Sequence, residues 1–168
     1  MSKNEGKVFE DDFKASVPKD VYYLRLNDSA IGFDVTHSTQ RFSLKSPYDL
    51  ILCYHGQMYA IELKSHKENR IGFGEKAPIK RKQIENLVKA NNAGAIAGIV
   101  LNFRDYEKTY YIDAKTMLKF MDSCGKKSIN IQDAEELGTI IPEQKKVTHS
   151  WYDVGPILML QTHHIFKN

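Results

Sequence analysis

Apolar and polar positions along the chain fall into two periods, which assign most of its elements. Asn4 to Ser16 reads as a first helix, with Val8, Phe9 and Phe13 on one apolar face and Pro18 helping to end it. Tyr22 to Leu26 reads as a short strand, and residues 27–48 are polar and mixed, a loop region with a little strand. Leu50-Ile51-Leu52-Cys53-Tyr54 is a buried-strand run, His55-Gly56-Gln57 is turn chemistry, and Met58 to Lys64 is a second strand. The pair predicts a hairpin. A loop with Gly72 and Gly74 follows, and Pro78 then opens a helix to about Asn91, with Ile84, Leu87 and Val88 on its apolar side and Gly94 just beyond it. Ala95 to Phe103 is apolar and β-branched, which predicts a central strand, and Lys108 to Ile112 is a further strand. Asp113 is placed to cap a helix over Ala114–Cys124, with Gly125 as its stop. Residues 131–138 read as a short helix and 153–162 as another apolar element. Helices and strands in this order predict an α/β fold, a mixed sheet with flanking helices.

No repeat, low-complexity stretch or linker divides the 168 residues, so residues 1–168 read as one domain. No apolar run approaches bilayer length, and the N-terminal Met-Ser-Lys-Asn-Glu-Gly-Lys lacks the apolar core of a signal peptide. The expectation is a cytoplasmic protein with no membrane association. Cys53 and Cys124 are too few and too isolated for a zinc site or a disulfide framework, and read as reduced thiols. The net charge of +3 is mild, so its distribution matters more than its total. Lys76, Lys80, Arg81 and Lys82 sit together, Arg41 and Lys45 precede Asp49, Lys126 and Lys127 form a pair, and acidic residues gather over 132–143.

The candidate chemistry lies in the hairpin. Strand side chains alternate, so Tyr59, Ile61 and Leu63 share one face and Ala60, Glu62 and Lys64 the other. The first face is core. The second sets a carboxylate beside an ammonium on a strand whose opposite face is apolar, where charge needs a partner or a task. If the chain turns at His55-Gly56, Asp49 comes to lie near Glu62. Two carboxylates and a lysine then converge, a set that suits Mg²⁺ or Mn²⁺ and phosphodiester hydrolysis. The same spacing also fits Glu62 and Lys64 as exposed residues of an amphipathic edge strand, with Asp49 in a strand-end turn.

The surroundings add a resemblance. Asp49-x(12)-Glu62-x-Lys64 on a hairpin resembles the PD-(D/E)xK nuclease superfamily, and the larger pattern is similar to the RecU family of Holliday-junction resolvases. Four features carry it in order: Gly6-Lys7-Val8-Phe9-Glu10; Ser46-Pro47-Tyr48-Asp49 followed by Ile61-Glu62-Leu63-Lys64-Ser65; Gln83 after a basic approach; and Lys127-Ser128-Ile129 before Gln132-Asp133-Ala134-Glu135-Glu136. The resemblance covers roughly residues 5 to 155 and implies a restriction-endonuclease-like core. It implies that Asp49 and Glu62 hold the metal, that Lys64 handles the water and the scissile phosphate, and that Gln83 projects toward the same centre. It implies that Glu10 stands near the site from the first helix. Pro47 is separated from Asp49 by Tyr48, and the segment between Leu26 and Asp49 is too short for the family's long projecting arm. Compact size and the short arm lean toward a phage source.

The candidate DNA surface runs from His66 to Lys82, with Lys76, Lys80, Arg81 and Lys82, and takes in Arg41, Lys45 and Lys7. Such residues contact phosphates. Tyr22, Tyr23 and Tyr106 are stacking candidates that fit strand packing better, and His163-His164 read as tail residues. The expected partners are branched DNA at a four-way junction and a second copy of the chain in a homodimer, with no nucleotide cofactor. Two alternatives stand beside this: a nuclease of the same superfamily acting on flaps, nicks or duplex, and a non-catalytic recombination accessory protein.

Overall fold

The structure, a computed structural model, describes residues 5–26, 29–30, 43–44 and 46–160. Helix α1 (Glu5–Ser16) leads into β1 (Tyr22–Arg25), the two-residue strands β2 (Ser29–Ala30) and β3 (Ser43–Leu44), the hairpin of β4 (Leu50–Tyr54) and β5 (Gln57–His66), and β6 (Arg70–Gly72). Next come α2 (Arg81–Asn92), β7 (Ile96–Phe103), β8 (Lys108–Asp113) and α3 (Ala114–Ser123). The chain continues through β9 (Ser128–Asn130), α4 (Ile131–Leu137), β10 (Thr139–Ile140), a second hairpin of β11 (Glu143–Lys145) and β12 (Ser150–Tyr152), and α5 (Gly155–Leu158).

Six strands form one sheet in the order β1-β4-β5-β7-β8-β10. β5 and β7 run parallel, and the other neighbours are antiparallel. This is the expected mixed α/β architecture with flanking helices. α1 lies on one face, where Phe9 and Phe13 pack with Tyr59, Ile61, Leu63 and Tyr152. α2 and α3 lie on the other, where Ile84, Leu87 and Met117 pack with Ala60, Ala97 and Ile99. Fully burying one such side chain contributes about 1.5–3 kcal/mol. Covered on both faces, β7 has every residue buried. No helix among the described residues is long and apolar enough to cross a membrane.

The β4–β5 turn sets the register on which the site depends. His55 (φ 47°) and Gly56 (φ 78°) both adopt left-handed backbone, the two-residue loop that matches strand twist. Leu50 therefore pairs with Ile61 and Cys53 with Met58, so residue 49 stands opposite residue 62 just past the last pair. At β8, Asp113 Oδ1 accepts from Lys115 N (2.9 Å) and Thr116 N (3.2 Å), capping α3 as its sequence predicts.

Several boundaries differ from those that periodicity predicts. α2 opens at Arg81 rather than Pro78, because buried Ile79 is held extended: its N–H bonds Gly72 O (3.1 Å) and its carbonyl accepts from Gly74 N (2.9 Å). β5 continues past Lys64 to His66, since it pairs with β7 as far as Phe103. Residues 153–162 hold only the short α5 among the described residues, which end at 160. The pairs β6–β9, β10–β8 and β11–β12 are two or three residues long, too short to leave an alternation in the sequence.

Gly98, on β7, has no room for a side chain. A Cβ there would come within 2.4 Å of Ile112 O and 2.5 Å of the Tyr111 ring. Gly98→Ala is expected to destabilise the fold by about 1–3 kcal/mol through forced displacement of β8. Urea denaturation measures it, and an unchanged midpoint would show that the sheet yields without cost.

Candidate active site

Asp49 and Glu62 are brought together by the hairpin and then fixed by different means. The Asp49 carboxylate accepts from Leu63 N at 2.7 Å, and its own carbonyl accepts from Leu26 N at 2.8 Å. β1 and β5 thus hold it from two sides. Glu62 is 0% exposed, on a strand with apolar packing on both faces. Its Oε1 accepts from Lys64 Nζ at 2.5 Å and from Gln83 Nε2. Gln83 is itself aimed: its Oε1 accepts from Lys80 N (3.2 Å) at the start of α2, leaving the amide to point at Glu62.

A cavity of about 560 Å³ opens over this cluster. Glu10, Arg25, Asp49, Glu62, Lys80, Lys82, Gln83 and Asn86 line it, with Ser46 and Pro47 at the approach to Asp49. Glu10 reaches it from α1 and forms an ion pair with Arg25. Burial is the largest cause raising the Glu62 carboxyl to about 7, and neighbouring Asp49 adds to it while Lys64 opposes it. Burial also raises the Glu10 carboxyl, against the pull of Arg25 and with the push of Asp49. Three carboxylates thus share one field, in part-buried surroundings where like charges are costly.

The residues match what a small divalent cation requires. Glu62 Oε2 is buried and accepts no hydrogen bond among the described residues, an unmet acceptor beside a second carboxylate. Among the described residues no three His, Cys, Asp or Glu side chains form a ready-made cage. Two hard oxygen donors with room for water and phosphate suit Mg²⁺ or Mn²⁺, which rarely use all-protein cages.

Of the candidate residues, Asp49, Glu62, Gln83 and Glu10 meet at the cavity, and Lys64 joins them through Glu62. Lys80 and Lys82 line its rim, whereas Lys76 is exposed in the preceding turn. Arg81 turns away: it pairs with Glu85 (2.9 Å) on its own helix and Asp122 (2.6 Å) on α3. Arg41, Lys45 and the His163-His164 pair lie outside the described residues. Sequence reasoning missed Arg25 and Asn86. The available signal for Arg25 was a cation ending an aromatic strand, Tyr-Tyr-Leu-Arg, which pairs directly with Leu50 next to Asp49.

Against known families, the model of Recombination protein U matches residues 14–154. The chain belongs to the RecU family. The match takes in Asp49, Glu62, Lys64 and Gln83 and begins after Glu10. Among named RecU relatives, the Holliday junction resolvase RecU of Oceanobacillus iheyensis is 28% identical over 170 residues, 89% of this chain and 84% of the relative. The SPbeta prophage-derived uncharacterized protein YotM of Bacillus subtilis is 31% identical over 167 residues, 90% of this chain and 84% of that one. Among solved structures, the Holliday junction resolvase Hjc of Archaeoglobus fulgidus superposes with a TM-score of 0.47 at 17% identity, over 83% of this chain and 95% of that chain.

Removing the Glu62 charge while keeping its shape tests the electrostatics of this RecU-family site. Glu62→Gln is expected to stabilise the metal-free protein at about pH 8 by about 1–3 kcal/mol, since relief from burial and from Asp49 exceeds the lost pairing with Lys64. Thermal unfolding in chelator measures it. A lower midpoint would show that the Lys64 pair outweighs the burial.

Proposed function

We propose that this RecU-family chain, acting as a single nuclease domain, is a Mg²⁺-dependent endonuclease that resolves four-way DNA junctions by paired phosphodiester hydrolysis in a homodimer. The observation that carries this reading is the buried Glu62 oxygen that accepts no hydrogen bond among the described residues, set beside Asp49 in a cavity rimmed by lysines. The name of the Oceanobacillus relative supports the junction as substrate. A cytoplasmic setting follows from action on DNA.

Asp49 and Glu62 would hold the cation, Mg²⁺ or Mn²⁺. When bound, it supplies charge neutralisation between the carboxylates, polarisation of the phosphate and a lowered pKa for water. Lys64 presents an ammonium beside Glu62, placed to orient the attacking water and to offset charge growing on the phosphate. Gln83, locked through Lys80 N, keeps Glu62 in one rotamer and so restricts the reorganisation that catalysis would otherwise require. Arg25 neutralises Glu10 in the absence of DNA and stands where a phosphate can take over its guanidinium. Lys80 and Lys82 attract the backbone without reading sequence.

The test is cleavage of a labelled synthetic four-way junction in Mg²⁺, with excess linear duplex as competitor. Wild type is expected to make paired, symmetric nicks that survive the competitor. Asp49→Asn and Glu62→Gln are each expected to slow cleavage by about 10²-fold or more while retaining binding. Cutting confined to flaps or linear duplex would overturn the junction assignment. Tight binding with no cutting in Mg²⁺ or Mn²⁺ would overturn catalysis and favour an accessory role.

A further inference from the structure

The β11–β12 hairpin lies apart from the candidate active site and is firmly mounted at its base. The Glu143 carboxylate accepts from Thr109 Oγ1 and, at 3.2 Å, from Asn102 Nδ2. Ser150 N donates to Asp12 Oδ2 (2.8 Å), and Tyr152 N donates to Ser16 Oγ (3.0 Å). The buried Tyr152 ring meets Phe9 edge-on at 5.2 Å. These contacts tie the hairpin to α1, β7 and β8.

Among the described residues its outer end has no such cover. Lys146 N donates to His149 O at 2.7 Å, closing a turn with Val147 and Thr148 at the tip. Val147 is fully exposed, and Trp151 is 43% exposed although it is the chain's one tryptophan. Lys145, Lys146 and His149 are exposed around them. Lys145 makes a long, exposed ion pair with Glu107 at 3.4 Å, of little energetic weight. Lys146 donates to Gln144 Oε1 (2.6 Å) and enters no ion pair among the described residues. The acids Glu5, Asp12, Asp105 and Glu107 line the cleft between the hairpin and α1, Lys145, Lys146, Val147 and His149 border the same cleft from the hairpin side, and Trp151 lies outside it.

The mounting also registers the hairpin to the site. Asn102, which bonds Glu143, accepts from Ser65 Oγ at 2.8 Å, and Arg104 Nη1 donates to the same hydroxyl at 3.1 Å. Ser65 directly follows Lys64 on β5, one strand spacing of about 5 Å from β7. A fully bonded polar chain inside the sheet is rigid, so whatever the tip grips is held in fixed relation to Glu62 and Lys64.

We propose that the β11–β12 hairpin is a second DNA contact, with Lys145 and Lys146 on backbone phosphates and Val147 and Trp151 against bases unstacked at a branch. The assignment rests on the nuclease reading above. Lysines flanking an exposed aromatic and an apolar tip are the chemistry that grips opened nucleic acid: charge for the backbone, a flat ring for a base face.

Because Trp151 is the single tryptophan, intrinsic emission reports the hairpin directly. The intact protein is titrated with a four-way junction and with linear duplex, in Ca²⁺ to hold off cleavage, while anisotropy of labelled DNA reports binding. The junction is expected to quench tryptophan emission with the same midpoint as the anisotropy. Lys145→Ala/Lys146→Ala is expected to weaken binding about tenfold near physiological salt and to flatten the log-affinity against log-salt slope by about two. Anisotropy that shows binding while the emission stays constant, with the double variant binding as wild type, overturns the hairpin assignment and leaves the nuclease reading intact. A wild type that binds neither DNA overturns the nuclease reading, and the hairpin assignment with it.

Discussion

A carboxylate without solvent is the constraint around which this fold is arranged. Glu62 sits on β5, whose neighbours Ile61 and Leu63 face the α1 core and Ala60 the α2 core, and its carboxylate is closed in among the residues that line the cavity. An ionised group there needs compensation from its own neighbourhood. Among the described residues the compensation comes from two directions, Lys64 on the same strand and Gln83 from α2, both at one oxygen, while the other oxygen accepts no hydrogen bond. Asp49 worsens the imbalance.

Each supporting element acts on that cluster. The tight turn at His55-Gly56 sets the β4–β5 register and so the position of residue 49. The extended segment through Ile79 and Lys80 delays α2, which leaves Lys80 N free to lock Gln83. Arg25 and Glu10 neutralise one another across the cavity from β1 and α1. The carboxylates thus come from α1, the approach to β4 and the middle of β5, and the cations from the end of β1, from β5 and from the start of α2.

The lysines divide by what they already touch. Lys80 and Lys82 border the cavity, whereas Arg81 between them is spent on joining α2 to α3 through Asp122. Lys80 precedes α2 in extended backbone, so its side chain is placed independently of the turn of about 100° that separates Arg81 from Lys82 on the helix. On the opposite side of the sheet, the Asn102–Glu143 bonds carry the β11–β12 hairpin on the same framework as Ser65. Site and hairpin thus share a rigid base even though they use different faces.

What the sequence determined by itself was local and periodic. Alternation along residues 58–64, a two-residue turn and a helical apolar face at Ile84 and Leu87 are statements about neighbours, and they suffice for the α/β class and for placing residue 49 across from residue 62. The tertiary structure decided what depends on groups far apart in the chain. That Arg25 meets Glu10, that Arg81 leaves for Asp122 and that Glu143 fastens to Asn102 depend on contacts between residues 15 to 41 positions apart, and the reach of Gln83 to Glu62 was expected from the family resemblance alone. No period records such contacts, because they are selected by the packing of whole helices and strands. The same holds for strands of two or three residues: their existence is owed to the partner they find, and a partner is a property of the folded chain.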